Sequence, residues 1–446
     1  MASRSPKRAA WPVALLLSSL VACDGCRGTS RTVAPAPPVT PPGFAGQSAR
    51  LASVPAGWEK GETLFSADGR QVAFVATQGQ QFAVFHGGTM SKTYQGAMGL
   101  VFREGRGGLA FIASQGGRNL VVVDGEEGAG YDEVRPVRFA PDGRVIYAAA
   151  SKQQWVIVVG TRATAIPGPA DPSPQLSADG KKLVFAELQA ETGTTHLRAC
   201  SLELTACTQG GAYDEIAFLR SDPSRVRLAF VAGRGGKQAV GLVSLDQPGL
   251  GEELGAWYDE VVACALSEGG RHLAFLARRG QAYLLVKDGV EVPLAEAMVP
   301  IELVVSRNGT VLATGASGGR MVALLDGKPD VPRHDGATSP TFSPDGTGYA
   351  YAAGDDSSGV VVVNGAVGPA FDKTVAPRFS PDGSRVAYRA RSQGERFVVV
   401  ADGQGKTIRE LPHHQEVYQV AFSPDGTSIG FGARTGSELW WRVERL

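Results

Sequence analysis

From about residue 49 onward, short runs of aliphatic, β-branched and aromatic residues are separated by polar segments rich in Gly, Asp and Pro. One such run is Arg144-Val145-Ile146-Tyr147-Ala148, followed after a polar break by Trp155-Val156-Ile157-Val158-Val159. The runs are too short for helices and carry the residue types that favour strands. Because several are apolar at consecutive positions rather than at alternate ones, they predict strands covered on both faces. The punctuation is regular too. Phe342-Ser343-Pro344-Asp345-Gly346 recurs at 379–383 and 422–426, with looser copies at 65–69, 139–143 and 176–180. Proline presets φ at one corner and glycine accepts positive φ at the next, so each copy predicts a tight turn between antiparallel strands.

After each turn comes a strand marked by an aromatic residue: Phe74, Phe111, Tyr147, Phe185, Phe230, Phe275, Tyr351, Tyr388 and Phe431, with Ala313 in the equivalent place once. These markers define ten repeats spaced 36 to 45 residues apart, the period of one four-stranded propeller blade. A single blade cannot cover its own faces, so neighbours must stack, and twisted sheets stacked radially close into a ring. The expected fold class is therefore all-β, a β-propeller of about ten four-stranded blades, with two five-bladed propellers as the alternative. The last repeat is one strand short, whereas 49–54 is a lone strand ahead of the first repeat. The N-terminal strand is thus predicted to complete the last blade.

The segment Phe379-Ser380-Pro381-Asp382-Gly383, continuing to Val386-Ala387-Tyr388, resembles the WD40-like repeat of TolB-type proteins and of prolyl oligopeptidase-type propeller domains. The resemblance covers nearly all of 51–446. No Trp-Asp dipeptide occurs, so the eukaryotic WD40 signature is absent. Between Cys23 and Ala49 there is also no room for the α/β domain that precedes the TolB propeller. The resemblance implies a propeller that serves interaction rather than one fixed chemistry.

The first residues change the picture from fold to location. Arg4, Lys7 and Arg8 precede an apolar run from Trp11 to Ala22, which is short of the about 20 residues needed to span a bilayer and fits a secretory signal. The run ends Leu20-Val21-Ala22-Cys23, which resembles the lipobox of bacterial lipoproteins and implies acylation of Cys23 after cleavage before it. Asp24 is similar to the inner-membrane retention signal of enteric lipoproteins; which membrane applies stays open. The predicted divisions are 1–22 signal peptide, 23–48 lipidated cysteine and Pro-rich linker, and 49–446 propeller. Cys200 and Cys207 flank a segment able to turn a hairpin, making them a candidate disulfide in an exported chain. Cys264 lies in an apolar run and reads as a small core residue.

Forty-four basic and 44 acidic residues balance, so no global field favours nucleic acid, and only local patches remain as electrostatic clues. One patch is periodic. Sixteen or 17 residues before eight of the ten markers stand an aromatic or His and an acid or Gln: Trp58-Glu59, Tyr94-Gln95, Tyr131-Asp132-Glu133, Tyr213-Asp214-Glu215, Tyr258-Asp259-Glu260, His334-Asp335, Phe371-Asp372 and His414-Gln415-Glu416. Each copy leads into an innermost strand, so Glu59, Asp132, Glu133, Asp214, Glu215, Asp259, Glu260, Asp335, Asp372 and Glu416 form a candidate binding rim at one mouth. Within these segments only Lys60 and Lys373 oppose them. Such a rim would focus field on a cationic ligand or basic segment, and its aromatics would offer cation–π contacts; the plainer alternative is that both residue types pack between blades and cap turns.

Catalytic signals are poor. Gly315-Ala316-Ser317-Gly318-Gly319 fits Gly-x-Ser-x-Gly but lies where sister repeats have a hairpin turn, not a strand-to-helix elbow. His413-His414 stands in a loop, and Asn308-Gly309-Thr310 reads as a turn. No metal ligand set and no cofactor are expected. The sequence points to an envelope lipoprotein whose propeller is a protein-interaction scaffold, with the bilayer and another envelope protein as partners. The alternatives are a binding protein for a cationic small molecule, peptide or sugar at the acidic mouth, and a propeller-based hydrolase or lyase.

Overall fold

The computed structural model describes residues 46–446 except 106, 169–173, 295–297, 331–333, 335 and 356. The chain forms ten antiparallel sheets, numbered here as blades 1 to 10 in the order of their first strands. Blades 1 to 9 occupy 59–90, 96–131, 133–166, 175–213, 215–258, 260–293, 299–329, 336–367 and 373–410. In each, four consecutive strands pair in chain order, except that the first strand of blade 3 is broken into Glu133–Val134 and Arg138–Phe139 around Pro136, where proline removes a ladder donor. Blade 10 takes three strands from 416–445 and its fourth from Ala49–Ser53, which pairs antiparallel with the strand Glu438–Arg445. The N-terminal strand closes the ring, as the missing strand of the last repeat requires.

Hydrophobic side chains collect into ten clusters, each drawn from two successive blades. Ile146, Trp155 and Ile157 of blade 3 pack with Leu183 and Phe185 of blade 4, and the series ends where Leu439 and Trp441 of blade 10 meet Phe65 and Phe74 of blade 1. Two five-bladed rings would instead pack blade 1 on blade 5, so the last cluster decides for one ring. The aromatic markers are all buried, from Phe230 and Phe431 at 0% exposed to Phe275 at 5%. Each contributes about 1.5–3 kcal/mol of burial. First strands of successive blades lie against one another around most of the ring, with no comparably close approach of neighbouring fourth strands among the described residues; the first strands therefore line the central channel.

The Ser-Pro-Asp-Gly turns join first and second strands. Gly346 and Gly383 donate to the carbonyls of Ser343 and Ser380, so proline and aspartate form the two corners. Glycine follows at positive φ, 76° and 73°, rather than occupying a corner. The serine hydroxyl donates to the aspartate at 2.5–2.6 Å in five turns and accepts the amide five residues on. These bonds, the serine hydroxyl first, hold Asp345, Asp382 and Asp425 down to about 2. A folded pKa below the unfolded value of about 3.9 stabilises the fold above that pH and is lost as pH falls through the folded value. Urea midpoints are therefore expected to be flat from about pH 7 to 5 and to fall between about pH 4 and 2, with a shallower acid limb in Asp382→Asn. An acid limb identical to that of the native chain in Asp382→Asn would contradict the assignment.

Candidate functional site

The connection entering each first strand and the turn between second and third strands lie at the same end of a blade, so the rim segments can reach that turn. They do so repeatedly. Asp132 accepts the amide of Lys152 at 2.7 Å, Asp214 that of Gly235 at 2.7 Å and Asp259 that of Gly280 at 2.6 Å. Gln95 and Gln415 make the same bond to Gly116 and Gly436. The Gly280 amide first, then Lys237, lowers the pKa of Asp259.

The following acid is engaged as well. Glu133 pairs with Arg135 at 2.7 Å, Glu260 with Arg278 at 3.1 Å, and Glu416 with Lys60 at 3.0 Å and Arg434 at 2.8 Å. Glu215 accepts from Gln238. Glu59 and Asp372 are exposed, and neither has a side-chain partner among the described residues. Asp335 lies outside the described residues, as does Cys23. The turns between second and third strands thus carry Arg234, Lys237, Arg278, Arg279 and Arg434 to or beside the mouth where the sequence showed mainly acids.

The rim aromatics turn away from solvent. Tyr94, Tyr131, Tyr213 and Tyr258 are at most 9% exposed and meet Phe111, Tyr147, Phe230 and Phe275 edge-on, with centroids 5.5–6.3 Å apart. Phe371 and His414 meet Tyr388 and Phe431 in the same places. The two periodic features of the sequence are therefore the two halves of one interblade contact. Three of the hydroxyls donate to a glutamate on, or directly before, the fourth strand of the next blade: Tyr94 to Glu127, Tyr213 to Glu252 and Tyr258 to Glu291, at 2.8–3.0 Å. Burial, followed by the bonded carboxylate, pushes the Tyr94 and Tyr258 hydroxyls up to about 12. Arg234 covers the Tyr213 ring and Arg279 the Tyr258 ring, at 5.4 and 4.8 Å; the cation–π partners are internal.

The remaining candidates resolve as local structure. Cys200 and Cys207 face each other across the third and fourth strands of blade 4 and are bonded. The Cys264 thiol is buried, and burial raises it to about 11. Ser317 ends a second strand, and Gly318 and Gly319 form the turn at positive φ. His413 stacks on Phe397 and bonds Glu395, and Asn308 donates to the carbonyl of Asp345 on the next blade. Among the described residues no group of three or more His, Cys, Asp or Glu is placed to hold a metal ion.

The channel wall holds what the sequence reading missed. On the innermost strands Met98, Phe218 and Ile301 are 57%, 41% and 52% exposed. Eight of the ten first strands carry a bulge, at four of which Gly99, Phe218, Ser339 and Ala376 take positive φ. Glu62 accepts the amides of Gly99 and Leu100, and Glu302 that of Ser339, so a carboxylate from the preceding blade caps the bulge. The register of the repeat fixes these sites, yet the non-glycine residues at positive φ conceal the bulge in the sequence.

No known family model matches the chain, and no curated protein matches it. Among solved structures, the chain is similar to the β-propeller domain of the Trilobed protease from Pyrococcus furiosus, at 13% identity over 60% of this chain and 94% of that one, with TM-score 0.33. TolB from Acinetobacter baumannii is 13% identical over 69% of this chain and 77% of its own, TM-score 0.28. An oligogalacturonate lyase solved in complex with manganese is 15% identical over 70% of this chain and 98% of its own, TM-score 0.31. The ten-bladed ring rests on the sheets and interblade cores described above.

Proposed function

We propose that this chain is an exported β-propeller, held at a bacterial envelope membrane through acylated Cys23, that serves as a protein-interaction scaffold. The tether is supported by the lipobox-like Leu20-Val21-Ala22-Cys23 and the Pro-rich spacer; two or more acyl chains anchor stably, since each buried CH₂ contributes about 0.8 kcal/mol. The Cys200–Cys207 disulfide fits an oxidising compartment. The observation that carries the scaffold reading is the set of exposed apolar side chains on innermost strands, Met98, Phe218 and Ile301, because apolar surface left open on a rigid frame marks interaction sites. A cationic ligand at the mouth has less support, since most described rim acids already serve turns or ion pairs.

The test places a photo-crosslinking residue at Met98 or Ile301 of the full-length protein in cells. Specific adducts to an envelope protein are expected, together with loss of membrane fractionation and of palmitate labelling in Cys23→Ala. Absence of adducts at both positions, combined with turnover of a substrate by the purified protein, would overturn the scaffold. Unchanged fractionation of Cys23→Ala would overturn the tether alone.

A further inference from the structure

The penultimate residue of each innermost strand occupies the same register. It is Leu64 opposite Ala73, Val101 opposite Ala110, Thr341 opposite Ala350 and Ala421 opposite Gly430. In blades 5 and 9 the position holds Arg220, opposite Ala229, and Arg378, opposite Ala387. Neither guanidinium has a hydrogen bond or an ion pair among the described residues. Arg138 shares the register in blade 3 and is engaged elsewhere.

Arg220 is half-buried and Arg378 exposed on strands that line the channel, and cations without ion-pair partners there attract anionic groups, because low-dielectric walls focus their field. Burial lowers the Arg378 pKa although its side chain reaches solvent, as expected for a cation inside a confined opening. The acids of the neighbouring innermost strands have other partners: Glu215 accepts from Gln238, Glu260 pairs with Arg278 and Glu416 with Lys60 and Arg434, while Glu62 and Glu302 accept bulge amides.

We propose that the channel seats an extended, acidic and apolar peptide segment of a partner protein, with Arg220 and Arg378 meeting its carboxylates and Phe218, Met98 and Ile301 its apolar side chains. This deepens the scaffold reading and rests on it. Three features favour a peptide. Among the described residues no strand pairs the channel-side edge of an innermost strand, so an extended chain can use the amides and carbonyls there that the bulge carboxylates leave open. A seven-residue strand such as Gly96–Phe102 or Glu215–Ser221 rises about 24 Å, long enough for several side chains of a ligand. Arg220 and Arg378 sit four blades apart, so each serves its own acid. Phe218 lies two residues from Arg220 on one strand and keeps an exposed ring at φ 52°, where glycine would be unstrained.

A displayed random dodecapeptide library is selected on the full-length protein, and enriched peptides are titrated by fluorescence anisotropy. Enriched sequences are expected to combine Asp or Glu with Val, Leu, Ile or Phe. Affinity is expected to fall at least about tenfold in Arg220→Gln/Arg378→Gln, and similarly when the peptide's acids are changed to amides. Phe218→Gly is expected to weaken binding while leaving or raising the melting temperature, which separates lost contact from misfolding. Enrichment of neutral or basic sequences, no enrichment, or affinity of the double variant within about twofold of native would overturn the proposal. Succinate binding alone, with the same dependence on both arginines and with no peptide enriched, would reassign the site to small carboxylates and equally overturn it. An envelope partner still crosslinked in the double variant would sink this inference and spare the scaffold.

Discussion

Replacing Trp441 with alanine is expected to lower the unfolding free energy by about 3–5 kcal/mol, read as a lower denaturant midpoint at unchanged slope. Trp441 is wholly buried in the third strand of blade 10, paired with Gly432 on one side and Ala49 on the other. It packs against Phe65 of blade 1 at 6.2 Å, in the cluster that joins the last blade to the first. Its space is reserved: a Cβ at Gly69 would come 2.1 Å from the indole and one at Gly430 2.5 Å. Removing the ring opens a cavity at the seam where blade 10 meets blade 1, which no disulfide among the described residues bridges. Trp440, half-buried with Arg442 over its ring at 4.1 Å, serves as the comparison, and its alanine variant should cost about 1 kcal/mol. Equal small losses at both positions would show that closure does not depend on the core between blades 10 and 1.

What could be read without coordinates was whatever repeats. The aromatic markers all lie in interblade cores, the Asp-Gly segments all turn, and the strand at residue 49 completes blade 10 because a fourth strand was missing there. The choice of one ring over two became certain only with the contact between Phe74 and Trp441 neighbourhoods. The rim was legible as a period but not as a role. Residue types at Tyr213-Asp214 suit a ligand or a turn equally, and the deciding partner, the Gly235 amide, sits on a different hairpin. The tyrosine's acceptor, Glu252, is further still along the chain. Arg220 and Arg378 stood in the repeat from the outset, but their lack of partners is a property of the assembled channel, and no local pattern announces it.

The turn that breaks the repeat carries the second large expectation: Asp222→Ala should lose about 3–5 kcal/mol. At 222–225 the repeat reads Asp-Pro-Ser-Arg, so aspartate stands where sister turns have serine. The carboxylate is 1% exposed and gathers four backbone amides, Ser224 at 2.8 Å, Val226 at 2.7 Å, Arg227 at 2.6 Å and Gly269 of the next blade at 3.1 Å. Alanine leaves four half-buried donors without their shared acceptor, a cost that water offsets only in part. Asp222→Ser supplies the hydroxyl that elsewhere accepts the amide five residues on and should recover part of the loss. Arg225, at φ 56° where sister turns have glycine, adds a second handle: Arg225→Gly should stabilise by about 0.5–1 kcal/mol. Urea unfolding should therefore rank Arg225→Gly, native, Asp222→Ser and Asp222→Ala in falling order. An alanine variant within about 1 kcal/mol of native would mean that the amides find other acceptors and that this carboxylate does not organise the junction of blades 5 and 6.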